Sequence, residues 1–131
     1  MIVELLRASR RIAVVGASSN PRRPSHGVFR TLMNAGYDCV PVNPRESEVL
    51  GVPAVSTLAE AAAAGPIDIV DVFRRPELTE EIAREAVAIG ARALWLQLDI
   101  MNWESARIAA EGGLGVVMDR CTAIELARVP R

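Results

Sequence analysis

The sequence predicts an α/β fold: a Rossmann-like, doubly wound parallel sheet of about five strands, with helices on both faces, in a single domain over residues 1–131. Three observations lead there. Five short apolar runs alternate with helical patterns, the signature of parallel strands joined by crossover helices. The first of them, "IAVVG" (12–16), is apolar almost throughout, as a strand covered on both faces is. At 131 residues, half of them hydrophobic and 24% charged, the chain is most simply one globular domain. Right-handed crossovers leave few topologies, and the expected strand order is 3-2-1-4-5.

The elements follow in order. After the strand at 12–16, Val28, Phe29, Leu32 and Met33 recur at helical spacing, with Pro24 and Ser25 as the helix start and Gly36 as its stop. "CVPV" (39–42) reads as the second strand, and its Pro41 suits only a strand end or an edge position. Residues 43–65 are the least regular, a loop leading into a short helix with Thr57 as N-cap. "IDIVDVF" (67–73) is the third strand. An amphipathic helix over 78–90 turns Ile82, Ala83, Ala86 and Val87 inward and stops at Gly90. "ALWLQL" (93–98) and "LGVVMD" (114–119) are strands four and five, separated by a helical segment at 102–113, and a last short helix covers 121–127. Trp95 and Trp103 read as packing residues.

Composition excludes several functions. The formal charge of −1 provides no global field toward nucleic acid or an anionic membrane, so anion binding must come from local clusters. No apolar run approaches the ~20 residues that span a bilayer. The start, "MIVELLRASRR", lacks the order of a signal peptide, and a cytoplasmic location is expected. Every Lys/Arg position is Arg; without Lys, a P-loop and Schiff-base chemistry are both ruled out. Cys39 and Cys121 form neither a CxxC pair nor a metal spacing, and His26 alone cannot make a metal site.

In a sheet of this kind ligands bind beyond the carboxyl ends of the strands, where strand order reverses. Arginine stands in four of the five loops that follow strands: Arg22 and Arg23, Arg45, Arg74 and Arg75, and Arg120. In the first loop, "GASSNPRRPS", Gly16 permits a tight turn, Ala17 and Ser18 allow close backbone approach, and the helix start beyond offers free amides to an anion. Arg22 or Arg23 would add charge-assisted bonds. His26 could donate to the same anion or be a half-exposed helix residue. Strand two ends in "VNPRE", with Asn43, Pro44 and Arg45 where an NAD-binding domain carries an acid for the ribose diol. A phosphorylated ribose, as in NADP or coenzyme A, fits better, unless Arg45 is simply solvated. Arg74 or Arg75 can point into the cleft. Gln97 needs a partner if buried, either a ligand or a neighbouring loop. Asp119 and Arg120 read as a mutual pair.

The stretches "IAVVGASSNPRRPSHGV", "YDCVPVNPRESEVLGVP", "IDIVDVFRRPE", "ARALWLQLDIMNWESA" and "LGVVMDRCTAIE" together resemble the small stand-alone CoA-binding proteins. These are similar in turn to the N-terminal CoA-binding domain of the succinyl-CoA ligase α-subunit. The resemblance spans nearly the whole chain. It implies coenzyme A at the strand ends, with Gly16, Ala17, Ser18, Arg23 and Ser25 on the pyrophosphate side. Asn43, Pro44 and Arg45 would flank the adenosine phosphate, and Phe73, Arg74 and Gln97 would edge the pantetheine path. Many relatives carry glycine where this chain has Asp99, and a carboxylate there could narrow the cleft or repel the ligand. The ligase's phosphohistidine domain has no counterpart in a chain this short.

No nucleophile with its base can be assembled from the residues. The expected function is therefore a carrier, sensor or regulatory protein that binds CoA or acyl-CoA, with a small molecule rather than nucleic acid or membrane as its partner. The rival readings are an NADP-dependent reductase and a regulatory interaction module with a vestigial nucleotide site.

Overall fold

The computed structural model describes residues 1–130. Its centre is a five-stranded, wholly parallel sheet of β1 (Arg11–Val15), β2 (Asp38–Val42), β5 (Ile69–Val72), β6 (Ala93–Leu96) and β7 (Gly115–Val117). Alternation along each strand divides two cores. Ala13, Val15, Val70, Val72, Leu94 and Leu96 meet α3 (Leu58–Ala63), α4 (Thr79–Ala88) and α5 (Trp103–Glu111) on one face. Ile12, Val14, Ile69, Ala93 and Trp95 meet α1 (Ile2–Ala8), α2 (Pro24–Asn34) and α6 (Thr122–Ala127) on the other.

The strands lie in the order β2-β1-β5-β6-β7. Numbering only the five expected strands, this is 2-1-3-4-5, not 3-2-1-4-5. The run at 67–73 pairs with β1, Ile12 opposite Ile69, on the side away from β2. The outer position beside β2 is held by one residue, Val55. Its amide donates to the Pro41 carbonyl at 3.0 Å, and its carbonyl accepts from Asn43 at 2.9 Å, forming an isolated parallel bridge with Val42. A proline is tolerated in β2 for this reason: residues 38 and 40 turn their amides toward β1, and the missing donor of Pro41 faces the open edge.

Residues 43–65 contain more order than a loop. A two-residue hairpin joins β3 (Glu48–Val49) to β4 (Val52–Pro53) through Leu50 and Gly51, both at positive φ (48° and 80°). Thr57 caps α3, its Oγ1 accepting from the Glu60 amide at 3.1 Å. The helix expected over 78–90 begins as a 3₁₀ turn over Pro76–Leu78 and continues as α4, with Ile82, Ala83 and Ala86 buried as expected. The N-terminal segment forms α1, which the sequence reading left unassigned; Leu5 and Leu6 bury it against the sheet. Trp95 is fully buried, but Trp103 is 74% exposed and is no packing residue. Ser105 and Ala109 set the inward face of α5, and Trp103 lies on the other side of that helix.

Candidate functional site

The crossover from β1 runs over one face of the sheet through α2, and that from β5 over the other through α4, so their carboxyl ends part between them. Gly16 sits at that point. Its amide donates to the Val42 carbonyl at 2.9 Å and its φ is +87°. A Cβ there would lie 2.6 Å from the Phe73 carbonyl oxygen and 3.0 Å from Arg74 Cδ. The Arg74 stem thus lies across the glycine turn, while Arg75 turns to Glu77 at 3.5 Å. Of the two arginines, Arg74 borders the cleft.

The first two loops are tied together. Asn43 donates from Nδ2 to the Ala17 carbonyl at 2.9 Å, and its Oδ1 accepts from the Arg45 amide at 2.9 Å. Ala17 is fully buried and Pro44 exposed. Asn43 therefore shapes the site through its neighbours, its side chain being engaged within the protein. Ser18 accepts from the Asn20 amide at 3.0 Å, and its hydroxyl hydrogen is turned toward the Glu46 carboxylate. The Ser18 carbonyl lies 3.0 Å from Nδ1 of His26. His26 is buried at 7% exposure, so the half-exposed reading fails: the imidazole props the loop from beneath, its Nε2 3.5 Å from Arg30. The Glu46 carboxylate also reaches the first loop, accepting from the Ser19 amide and hydroxyl at 2.8 Å each. These two bonds, with a smaller contribution from the Ser18 side chain, hold Glu46 below the ordinary carboxylate range.

The helix beyond is open to an anion. Arg23 occupies the N-cap of α2 without a side-chain cap bond; Pro24 has no amide hydrogen and the His26 amide donates to the Arg23 carbonyl at 3.0 Å, so within the first turn the Ser25 amide is the one left without a partner. Ser25 is buried within that turn. Arg22, Arg23, Arg45 and Arg74 have no carboxylate within ion-pair distance among the described residues, whereas Arg11, Arg84 and Arg128 each have one and Arg107 has two. Unneutralised guanidinium groups around a free helix amide are a setting for phosphate.

Gln97 lies just past β6 and is 3% exposed. Its Nε2 donates to Asp71 Oδ1 at 2.5 Å and to Thr122 Oγ1 at 2.9 Å, and Thr122 donates to Asp71 Oδ2 at 3.0 Å. Both amide hydrogens are engaged inside the protein, and only the carbonyl side of Gln97 remains for another donor. Burial drives the Asp71 carboxyl up to about 7, against the pull of the bonds from Gln97 and Thr122. The sequence reading missed Asp71; its signal was an acid in the middle of the apolar run "IDIVDVF".

Beside this network, Trp95 Nε1 donates to the Arg120 carbonyl at 2.7 Å. The expected Asp119–Arg120 pair does not form. Asp119 accepts from the Asp99 amide at 2.7 Å, and Arg120 turns to Glu125 at 3.7 Å. Asp99 itself is exposed at φ +68°. A glycine would hold that conformation without strain. Phe73 is half-buried beside Gly16, and Cys121 occupies the N-cap of α6, partly buried. A broad groove of about 640 Å³ lies at the opposite end of the sheet, where Leu6, Arg10, Tyr37, Asp38 and Leu126 line it. None of the site residues expected from the sequence lines it.

Residues 10–127 match the family model described as a CoA binding domain. The chain belongs to that family. The uncharacterized protein YneT of Bacillus subtilis strain 168 is 46% identical over 123 residues, covering 94% of this chain and 90% of that protein. A hypothetical protein from Pyrococcus horikoshii OT3 superposes with a TM-score of 0.93 at 38% identity, covering 98% of this chain and 89% of the other. The dinucleotide-forming acetyl-coenzyme A synthetase 1 of Ca. Korarchaeum cryptofilum, at 19% identity and TM-score 0.74, shares the fold over 88% of this chain and 28% of its own. The CoA-binding domain thus takes up nearly the whole of this chain. No helix among the described residues is long and apolar enough to cross a membrane.

Proposed function

We propose that this chain binds coenzyme A, free or acylated, along the carboxyl edge of β2, β1 and β5, and serves as a carrier, sensor or regulatory protein rather than as an enzyme. One observation carries the reading: four arginines without carboxylate partners stand in the loops around the uncapped start of α2, in a chain built on a CoA binding domain. The pyrophosphate would take the Ser25 amide at the start of α2, the hydroxyls of Ser18 and Ser25, and Arg23. Arg45 would take the phosphate on the adenosine ribose. Phe73 and Arg74 would border the pantetheine arm as it passes Gly16. Gln97 would contribute its carbonyl oxygen at most, because its amide nitrogen is engaged.

Two free thiols, Cys39 and Cys121, accord with a reducing cytoplasmic setting. Isothermal calorimetry with CoA, dephospho-CoA and NADPH is the test. CoA should bind more tightly than dephospho-CoA, and NADPH should bind weakly. Equal affinity for the first two would sink the ribose-phosphate assignment. Tight NADPH with weak CoA would transfer the site to a reductase.

A further inference from the structure

We propose that Glu46 is a specificity-determining residue of this site: its carboxylate occupies an anion seat on the first loop in the free protein and competes there with the phosphates of an incoming ligand. The inference rests on the CoA reading and adds a competitor that the reading does not require.

The geometry is that of a bound anion. One Glu46 oxygen accepts from the Ser19 amide and the other from the Ser19 hydroxyl, each at 2.8 Å. An oxyanion of a phosphate would use the same pair of donors in the same way. Ser19 belongs to the short loop that joins Gly16 to the open start of α2, where the reading above places the pyrophosphate. Glu46 comes from the loop that carries Arg45, twenty-seven residues away, so the contact spans the pyrophosphate and adenosine ends of the proposed site.

The choice of partner also points to competition. Glu46 follows Arg45 directly, and Arg22 and Arg23 lie in the loop it touches, yet its carboxylate makes no ion pair among the described residues. It holds neutral donors and leaves the guanidinium groups unneutralised. The bonds from Ser19 hold its carboxyl below the ordinary carboxylate range. A ligand phosphate arriving at this loop either displaces a carboxylate or lies beside one, and each outcome costs affinity in proportion to the charge brought in.

The test is calorimetric titration of CoA and inorganic pyrophosphate into the parent protein, Glu46→Gln and Glu4→Gln, each first shown to be folded by thermal melting. Glu4 is an exposed acid on α1, at the other side of the molecule from the first loop's free face, and controls for net charge. Glu46→Gln should tighten CoA by about three- to tenfold, the scale of removing one like charge near a partly solvated phosphate. Pyrophosphate should gain in the same direction, and Glu4→Gln should leave both unchanged. Unchanged or weaker CoA binding by Glu46→Gln, with the parent still binding, would show a structural clamp and overturn the proposal while leaving the CoA reading intact. An equal gain in Glu4→Gln would reduce the effect to net charge and overturn it as well. Folded parent and Glu46→Gln that both fail to bind CoA would bring down the CoA reading, and this inference with it.

Discussion

Asp71 of β5 and Gln97 beyond β6 meet in a 2.5 Å hydrogen bond inside the protein, and Thr122 at the start of α6 closes the ring by bonding to both. Three side chains from separate segments thereby fasten α6 to the centre of the sheet. The carboxyl is fully buried, and its retention of a proton up to about 7 gives the fold a dependence on pH.

The sign follows from linkage. In the unfolded chain Asp71 ionises near its ordinary value of 3.8, and in the folded protein near 7. Between these limits the folded state binds more protons, so stability falls as pH rises, by at most about 1.4 kcal/mol per pH unit from this one group. Asp71→Asn keeps the shape and one acceptor oxygen, puts an NH2 donor where the other oxygen stands, as the protonated acid puts an O–H, and removes the titration. Urea unfolding at pH 5, 6, 7 and 8 should show the parent losing stability relative to Asp71→Asn across the series. Parallel profiles would mean that Asp71 is ionised throughout.

Arg45 is the residue assigned to the ribose phosphate. A charge-assisted bond of this kind is worth about 1.5–3 kcal/mol, so Arg45→Ala should weaken CoA about tenfold or more. Dephospho-CoA should be affected much less. Equal losses for the two ligands, measured by calorimetry, would remove Arg45 from that end of the site.

Gly16 cannot be replaced without disturbing both loops at the switch point. A Cβ would meet the Phe73 carbonyl at 2.6 Å on a backbone at φ +87°. Left-handed strain alone costs an L-residue about 1–2 kcal/mol, and the collision adds to it. Gly16→Ala should lower stability by about 2 kcal/mol or more in denaturant unfolding. Wild-type stability would show that the β1 and β5 loops part easily.

Asp99 presents the opposite case. It holds φ +68° with an exposed side chain, and its backbone amide makes the bond to Asp119. Glycine retains that amide and relieves the strain, at some cost in the entropy of the unfolded chain. Asp99→Gly should stabilise the protein by about 0.5–1 kcal/mol, read as a raised Tm. A lowered Tm would show that the aspartate carboxylate contributes more than its backbone costs.

The sequence alone determined what depends on neighbours along the chain. The apolar runs that became β1, β2, β5, β6 and β7, the Thr57 cap, the Pro24 start of α2 and the glycine turn at Gly16 were all legible, because propensity, capping and side-chain periodicity act within a few residues. The concentration of arginine after the strands was legible for the same reason. What lies side by side across the sheet was decided only by the tertiary structure. Val55 took the outer edge of β2, and the strand at 69–72 moved to the far side of β1. Trp103 was left in solvent, His26 was drawn beneath the loop, and Glu46 closed on Ser19. Asp71 found Gln97 and Thr122 by the same route. Each pairing joins residues that no local rule relates, and each is selected by the packing of two cores against a single sheet.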